Sequence, residues 1–165
     1  MGEPTRNLFR IAAATEKDVP SILRLINGLA EYERLSHLVT ATEADLHTVL
    51  FGPRPVVEAI VAFASDDAVG FALFFPTFST FLGRTGLWLE DLYVEPHWRG
   101  RGLGRRLFTR VARIANERGC GRMEWSVLDW NERAIRFYRG MGAQSMDEWR
   151  ICRLTGEALS SIGKQ

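Results

Sequence analysis

Two adjacent carboxylates, Glu90 and Asp91, stand in a stretch whose other members, Leu87, Trp88, Leu89, Leu92, Tyr93 and Val94, are apolar or aromatic. A charge inside such a run is costly unless it has a task, so both acids are candidates for taking up a proton or attracting a cation. Shortly downstream, Arg99-Gly100-Arg101-Gly102-Leu103-Gly104-Arg105-Arg106 reads as a glycine turn opening a helix. The first N–H groups of a helix lack partners within it and the dipole end there is positive, which suits a phosphate. Glycines at 100, 102 and 104 leave a bulky anion room to reach the main chain. The spacing is neither the dinucleotide fingerprint nor a Walker loop, since no Gly-Lys-Ser/Thr follows.

Successive strand residues face opposite ways, so only one of the two acids normally looks into a given pocket. A bulge at the pair could turn both toward it. Tyr138 shares nearly one helix face with Asn131, and its phenol is protonated at neutral pH and able to donate. From that helix alone, packing with Ile135, Phe137 and Met141 is the preferred reading. Cys120 at a helix C-terminus and Cys152 in mid-strand are poor nucleophile candidates. His37, His47 and His97 have no ligand spacing, and no metal is expected.

The elements that must position these groups follow from periodicity and turn chemistry. A strand is expected over 8–13, then Thr15 and Asp18 in capping-box fashion opening a helix to about Tyr32. The stretch 31–36 is expected as a polar loop, followed by a helix over 42–50 with Thr42 as its cap. Strands over 56–64 and 69–75 form a hairpin, 76–83 reads as an aromatic loop, and 86–94 is the acid-bearing strand. A helix over 104–118 ends at Gly119; a strand over 123–128, a helix from Asn131 to Met141 and a strand over 149–154 complete the chain. The expected class is α/β (α+β), a mixed, mostly antiparallel sheet flanked by helices in the order β-α-α-β-β-β-α-β-α-β. All of 1–165 is expected to form a single domain, since no linker or repeat interrupts it.

Bulk composition narrows the function classes. No run is long enough for a membrane helix, residues 1–10 carry no hydrophobic signal core, and two cysteines favour a reducing cytoplasm. Residues 1–98 hold 7 basic against 13 acidic side chains, and residues 99–165 hold 14 against 7. An acidic half beside a basic half suits a cationic substrate meeting an anionic cofactor, although scattered surface charge gives the same count. The arginines at 105, 106, 110, 113, 118 and 122 raise a nucleic-acid reading, but the net charge is only +1 and no recognition motif appears.

Together LEDLYVEPHWRGRGLG and DWNERAIRFYRGMGAQ resemble the GNAT acetyltransferases. With GLAEYERLS, GRTGLWLEDLYV, ERGC and VLDWNERA the chain is similar to the diamine (spermidine/spermine) acetyltransferase subfamily, nearest its thialysine-acetylating branch. The resemblance implies the GNAT fold and acetyl-CoA as co-substrate. It implies main-chain contacts from Leu92, Tyr93 and Val94, a phosphate cradle at Arg99, Gly100, Arg101, Gly102, Leu103, Gly104 and Arg105, and further cofactor contacts from Asn131, Glu132, Arg133, Ala134 and Tyr138. Tyr138 falls at the family's proton-donor position, which reverses the reading from its helix alone. Glu90 falls at the family's substrate-side acid and is the expected base, with Asp91 its support on the substrate side unless a bulge turns it inward; Tyr32 with Glu33 falls at the amine-binding pair, and Glu124, Trp125 and Ser126 where the next strand lines the substrate pocket. Asp147-Glu148-Trp149-Arg150 departs from the family pattern in length. The implied partners are a small cationic amine and a second copy in a homodimer, with neither nucleic acid nor membrane. The expected reaction is acetyl transfer to a primary amine by direct attack in a ternary complex. The alternatives are a protein lysine or N-terminal acetyltransferase, and a non-catalytic CoA- or nucleic-acid-binding module.

Overall fold

A computed structural model describes residues 9–164. Leu8 of the first expected strand and the N-terminal stretch 1–8 lie outside the described residues. The strands are β1 (Arg10–Ala13), β2 (Glu58–Ala64), β3 (Asp67–Ser79), β4 (Arg84–Val94) and β5 (Met123–Glu124). The helices are α1 (Val19–Tyr32), α2 (Glu43–Phe51), α3 (Leu103–Glu117), α4 (Glu132–Gly140) and α5 (Gly156–Ile162). The chain separates into two compact units, one ending at Ser126 and the other beginning at Val127.

The first unit holds the sheet, in the order β1-β2-β3-β4-β5. Its first four strands are antiparallel, and only the short β4–β5 pairing is parallel, through Leu87↔Met123 and Trp88↔Glu124. Alternation then divides the side chains between two faces. Ala59, Val61, Phe63, Phe71, Leu73 and Tyr93 join Val19, Ile22, Leu25, Leu46 and Leu50 in one cluster under α1 and α2. The intervening Ile60, Ala62, Ala72 and Phe74 are as deeply buried, and α3 lies over β3 and β4 with Leu103, Leu107 and Val111 buried. Each of the buried Val, Leu, Ile and Phe side chains contributes roughly 1.5–3 kcal/mol of transfer free energy.

The caps are where the spacing put them. Thr42 accepts from the Asp45 N–H and Asp45 reaches back to the Thr42 N–H at 2.9 Å, a closed capping box that holds the Asp45 carboxyl below its usual range. Thr15 and Asp18 repeat it before α1. Gly119 at φ +66° follows the end of α3.

Three expectations differ. Residues 76–79 are not loop but the end of β3, paired with β4 as far as Ser79↔Arg84. Pro76 is tolerated because β2 pairs β3 no further than Phe74, so no partner there needs its missing N–H. β5 stops at Glu124 instead of reaching 128. In the second unit the expected strand over 149–154 is irregular chain with Trp149 70% and Ile151 71% exposed, and α5 follows it. Strand preference reflects fit to a half-buried pleated surface, and the second unit holds no described strand to provide one.

Candidate active site

The acids of β4 sit in a bulge. Leu73 pairs with Asp91 and Phe74 with Leu89, so Glu90 is an extra residue without a cross-strand partner. Leu73 belongs to the face under α1 and α2, and its partner Asp91 shares that face. Burial first, and then the charges of Glu90 and Glu33, push the Asp91 carboxyl up to about 7. Burial also raises Glu33 above the usual carboxylate range. Asp91 thus lies within reach of two further carboxylates, Glu90 on its own strand and Glu33 at the end of α1. Glu90 remains exposed, and one of its oxygens accepts the Trp88 indole N–H at 2.8 Å.

Glu33 owes its place to the way α1 ends. The Arg34 N–H donates to the Glu31 carbonyl and the Leu35 N–H to the Ala30 carbonyl, the paired bonds of a Schellman turn. The left-handed residue at its centre is Arg34, φ +62°, where glycine is usual. Gly28, inside the helix, answers a close approach: a Cβ there would stand 2.7 Å from the Tyr93 hydroxyl. Between α1 and the end of β4 lies a cavity of about 740 Å³, bordered by Asn27, Gly28, Glu31, Tyr93, His97 and Trp98. Arg24 braces its wall, bonded to Glu95 and to the Ala68 carbonyl.

Beyond β4 the chain makes the glycine turn. Gly100 and Gly102 both have φ +78°, and a Cβ on either would meet nothing within 4 Å, so the turn is open beside the N-terminus of α3. Gly102 caps that helix without a side chain, and no acid lies in the first turn. Along β4, β5 pairs only as far as Trp88, leaving residues 92–94 paired with β3 alone among the described strands. Arg99 does not point outward. Its Nε donates to the Val94 carbonyl at 2.7 Å and its guanidinium carbon lies 4.6 Å from the centre of the Tyr32 ring. Glu124 is paired with Arg122 at 2.7 Å, Trp125 stands edge-on to Phe108 of α3, and Ser126 is exposed.

In the second unit, Asn131 is buried and its side chain accepts the Ala134 N–H at 3.2 Å, capping α4. Glu132 pairs with Arg136 one turn on, and Arg133 is exposed. Tyr138 is half-buried with its ring edge-on to Phe137, and its carbonyl receives the Ala143 N–H in the Schellman turn around Gly142. Asp147, Glu148 and Arg150 are exposed.

A model of the acetyltransferase (GNAT) family matches residues 21–143. The chain belongs to that family. This GNAT enzyme is 38% identical to an L-ornithine N5-acetyltransferase of Arabidopsis thaliana, over 96% of this chain and 90% of the relative. It is 39% identical to a thialysine N-epsilon-acetyltransferase of Bos taurus, over 92% of this chain and 95% of the relative. An integron cassette protein from the mobile metagenome of V. cholerae superposes with a TM-score of 0.80 at 26% identity, covering 96% of this chain and 99% of that one. The protein is thus an N-acetyltransferase with a GNAT fold, akin to enzymes named for their action on amines. No helix among the described residues is long and apolar enough to cross a membrane.

Within this GNAT framework three features escaped the sequence reading. The titration of Asp91 depends on the bulge and on Glu33, which is distant in sequence. Trp88 as a partner of Glu90 was legible in principle, since residues two apart on a strand share a face. The inward turn of Arg99 had no local signal.

Proposed function

We propose that this GNAT enzyme transfers the acetyl group of acetyl-CoA to a primary amine of a small cationic substrate, a thialysine- or lysine-like amine or a diamine or polyamine. The observation that carries this reading is the convergence of Glu33 and Glu90 on Asp91 in a strand whose end leads into a glycine turn at a helix N-terminus. A cation fits the first feature and a pyrophosphate the second. The open space over Gly100 and Gly102 is what a phosphate needs to reach the amides of Leu103, Gly104 and Arg105.

Acetyl-CoA, when bound, supplies an activated acyl carbon and a thiolate leaving group. The chain's own part begins with the ammonium, whose pKa near 10.4 means that it must lose a proton before it can attack. Asp91 takes that proton in this reading, because a base poised near neutrality is the most effective one. Glu90 and Glu33 hold the cation, with Tyr32 beside them. N–H groups of 92–94 on the side of β4 without a strand partner lie along the cofactor and polarise the acyl oxygen. Tyr138 holds the phenol proton that the departing sulfur receives, and Asn131 to Ala134 border the cofactor; both assignments are supported by the family match, which runs through residue 143. Attack is direct, which fits the lack of an activated cysteine among these groups. We read both compact units as one catalytic domain working in a reducing cytoplasm as a homodimer, which light scattering of the purified chain would check.

A CoA-release assay across ornithine, thialysine, lysine, diamines, polyamines and lysine-bearing peptides tests the proposal. Turnover confined to small cationic amines is expected; peptide-only turnover or none at all would overturn it. Glu33→Gln and Glu90→Gln are each expected to raise the amine KM about tenfold, the order of one charge-assisted hydrogen bond, without altering the acetyl-CoA KM. A rise in the acetyl-CoA KM instead would put them on the wrong side of the site.

A further inference from the structure

We infer that Arg99 positions the amine pocket and that its side chain is not a ligand of the cofactor phosphates. The inference rests on the acetyl-transfer reading above. An arginine heading a glycine turn is placed to meet an anion, yet this one is folded back beneath the strand. Its Nε donates to the Val94 carbonyl at 2.7 Å, and its guanidinium carbon lies 4.6 Å from the Tyr32 ring centre and 5.3 Å from that of Tyr93. A planar guanidinium can bond through its edge while its face lies on aromatic rings, and here both modes are in use.

What these contacts reach matters more than their number. Val94 ends β4, the strand that carries Glu90 and Asp91. Tyr32 is the last residue of α1, and the next residue is Glu33, whose charge helps to raise Asp91. Arg99 therefore pins the strand end and the helix end to each other, and the acids on both keep their relative places. A lysine at this position keeps the charge but loses the plane and the Nε donor.

The test is a double-mutant cycle of Arg99→Lys with Tyr32→Leu, read separately in the amine KM and the acetyl-CoA KM. Each single change is expected to raise the amine KM about tenfold, and the double to raise it no further than the worse single, because both remove the same contact. In the acetyl-CoA KM the two changes are expected to combine without coupling. A general loss of packing would show instead as equal coupling in both constants. Arg99→Gln, which keeps an N–H but no charge, is expected to match Arg99→Lys and serves if the lysine variant does not fold. If Arg99→Lys behaves as wild type while Arg99→Gln loses acetyl-CoA affinity, Arg99 is a phosphate ligand and the inference fails. Multiplicative amine effects in an active enzyme overturn this inference alone, whereas a wild type inactive on every amine overturns the acetyl-transfer reading with it.

Discussion

Tyr138→Phe is expected to lower kcat by about a hundredfold or more while leaving both KM values within a small factor, the range for losing a positioned general acid. The substitution removes one hydroxyl and keeps the ring, so its edge-on contact with Phe137 survives and α4 keeps its Asn131 cap. Melting temperature checks that point independently. Stopped-flow product formation separates chemistry from release, and an unchanged chemical rate would remove Tyr138 from the reaction.

Asp91→Asn is expected to act on both rate and stability, with opposite signs. In the rate, kcat/KM of the wild type should rise with pH through about 7, as the carboxyl becomes able to accept a proton. The Asp91→Asn enzyme should lose this limb and about a hundredfold or more of its activity. Glu33→Gln or Glu90→Gln should move the limb to lower pH, since each removes a charge that raises Asp91. A limb that survives Asp91→Asn would assign the proton elsewhere, with Glu90 the next candidate.

For stability, the carboxyl titrates at about 7 in the fold against an ordinary 3.8, so the folded chain binds this proton more tightly. That stabilising contribution is complete below pH 3.8 and is lost as pH rises through 7. At pH 8 the wild type holds an unfavourable buried charge, and the neutral amide should be more stable by about 2–4 kcal/mol, with Tm higher by about 5 °C or more. Melting curves at pH 5 and pH 8 check the sign: the gain belongs to the alkaline side. A gain of equal size at both would mean that the amide simply packs better.

Much of this was legible from local signals, because local signals are what one chain displays. Thr42 with Asp45, Asn131 before α4 and Gly119 after α3 act through neighbours within a turn. The alternation of 86–94 with two acids in it was legible for the same reason, and the bulge found at Glu90 was the stated condition for Asp91 to face inward. What failed was non-local. Pro76 looks like a strand breaker until the short reach of β2 is known, and Trp149, Ile151 and Leu154 look like a strand until their own unit is seen to hold none. The candidate site divides likewise. Residue types pointed to Glu33, Glu90 and Tyr138 through resemblance, but the proton affinity of Asp91 and the inward turn of Arg99 exist only once distant segments meet.

The left-handed Arg34 has a consequence for how the acidic corner ages under mutation. A non-glycine residue in that conformation is strained by roughly 1 kcal/mol, so Arg34→Gly would relieve the folded chain. It would also widen the choices of the unfolded chain by a comparable amount, and the melting point would hardly register the exchange. The native corner would register it. With glycine the hinge below Glu33 gains freedom that arginine denies it, so a change silent in stability would spread the carboxylate over more positions. The β-carbon of Arg34 thus narrows the backbone next to Glu33, and with it the positions open to one of the three acids, at a residue that no substrate need ever touch.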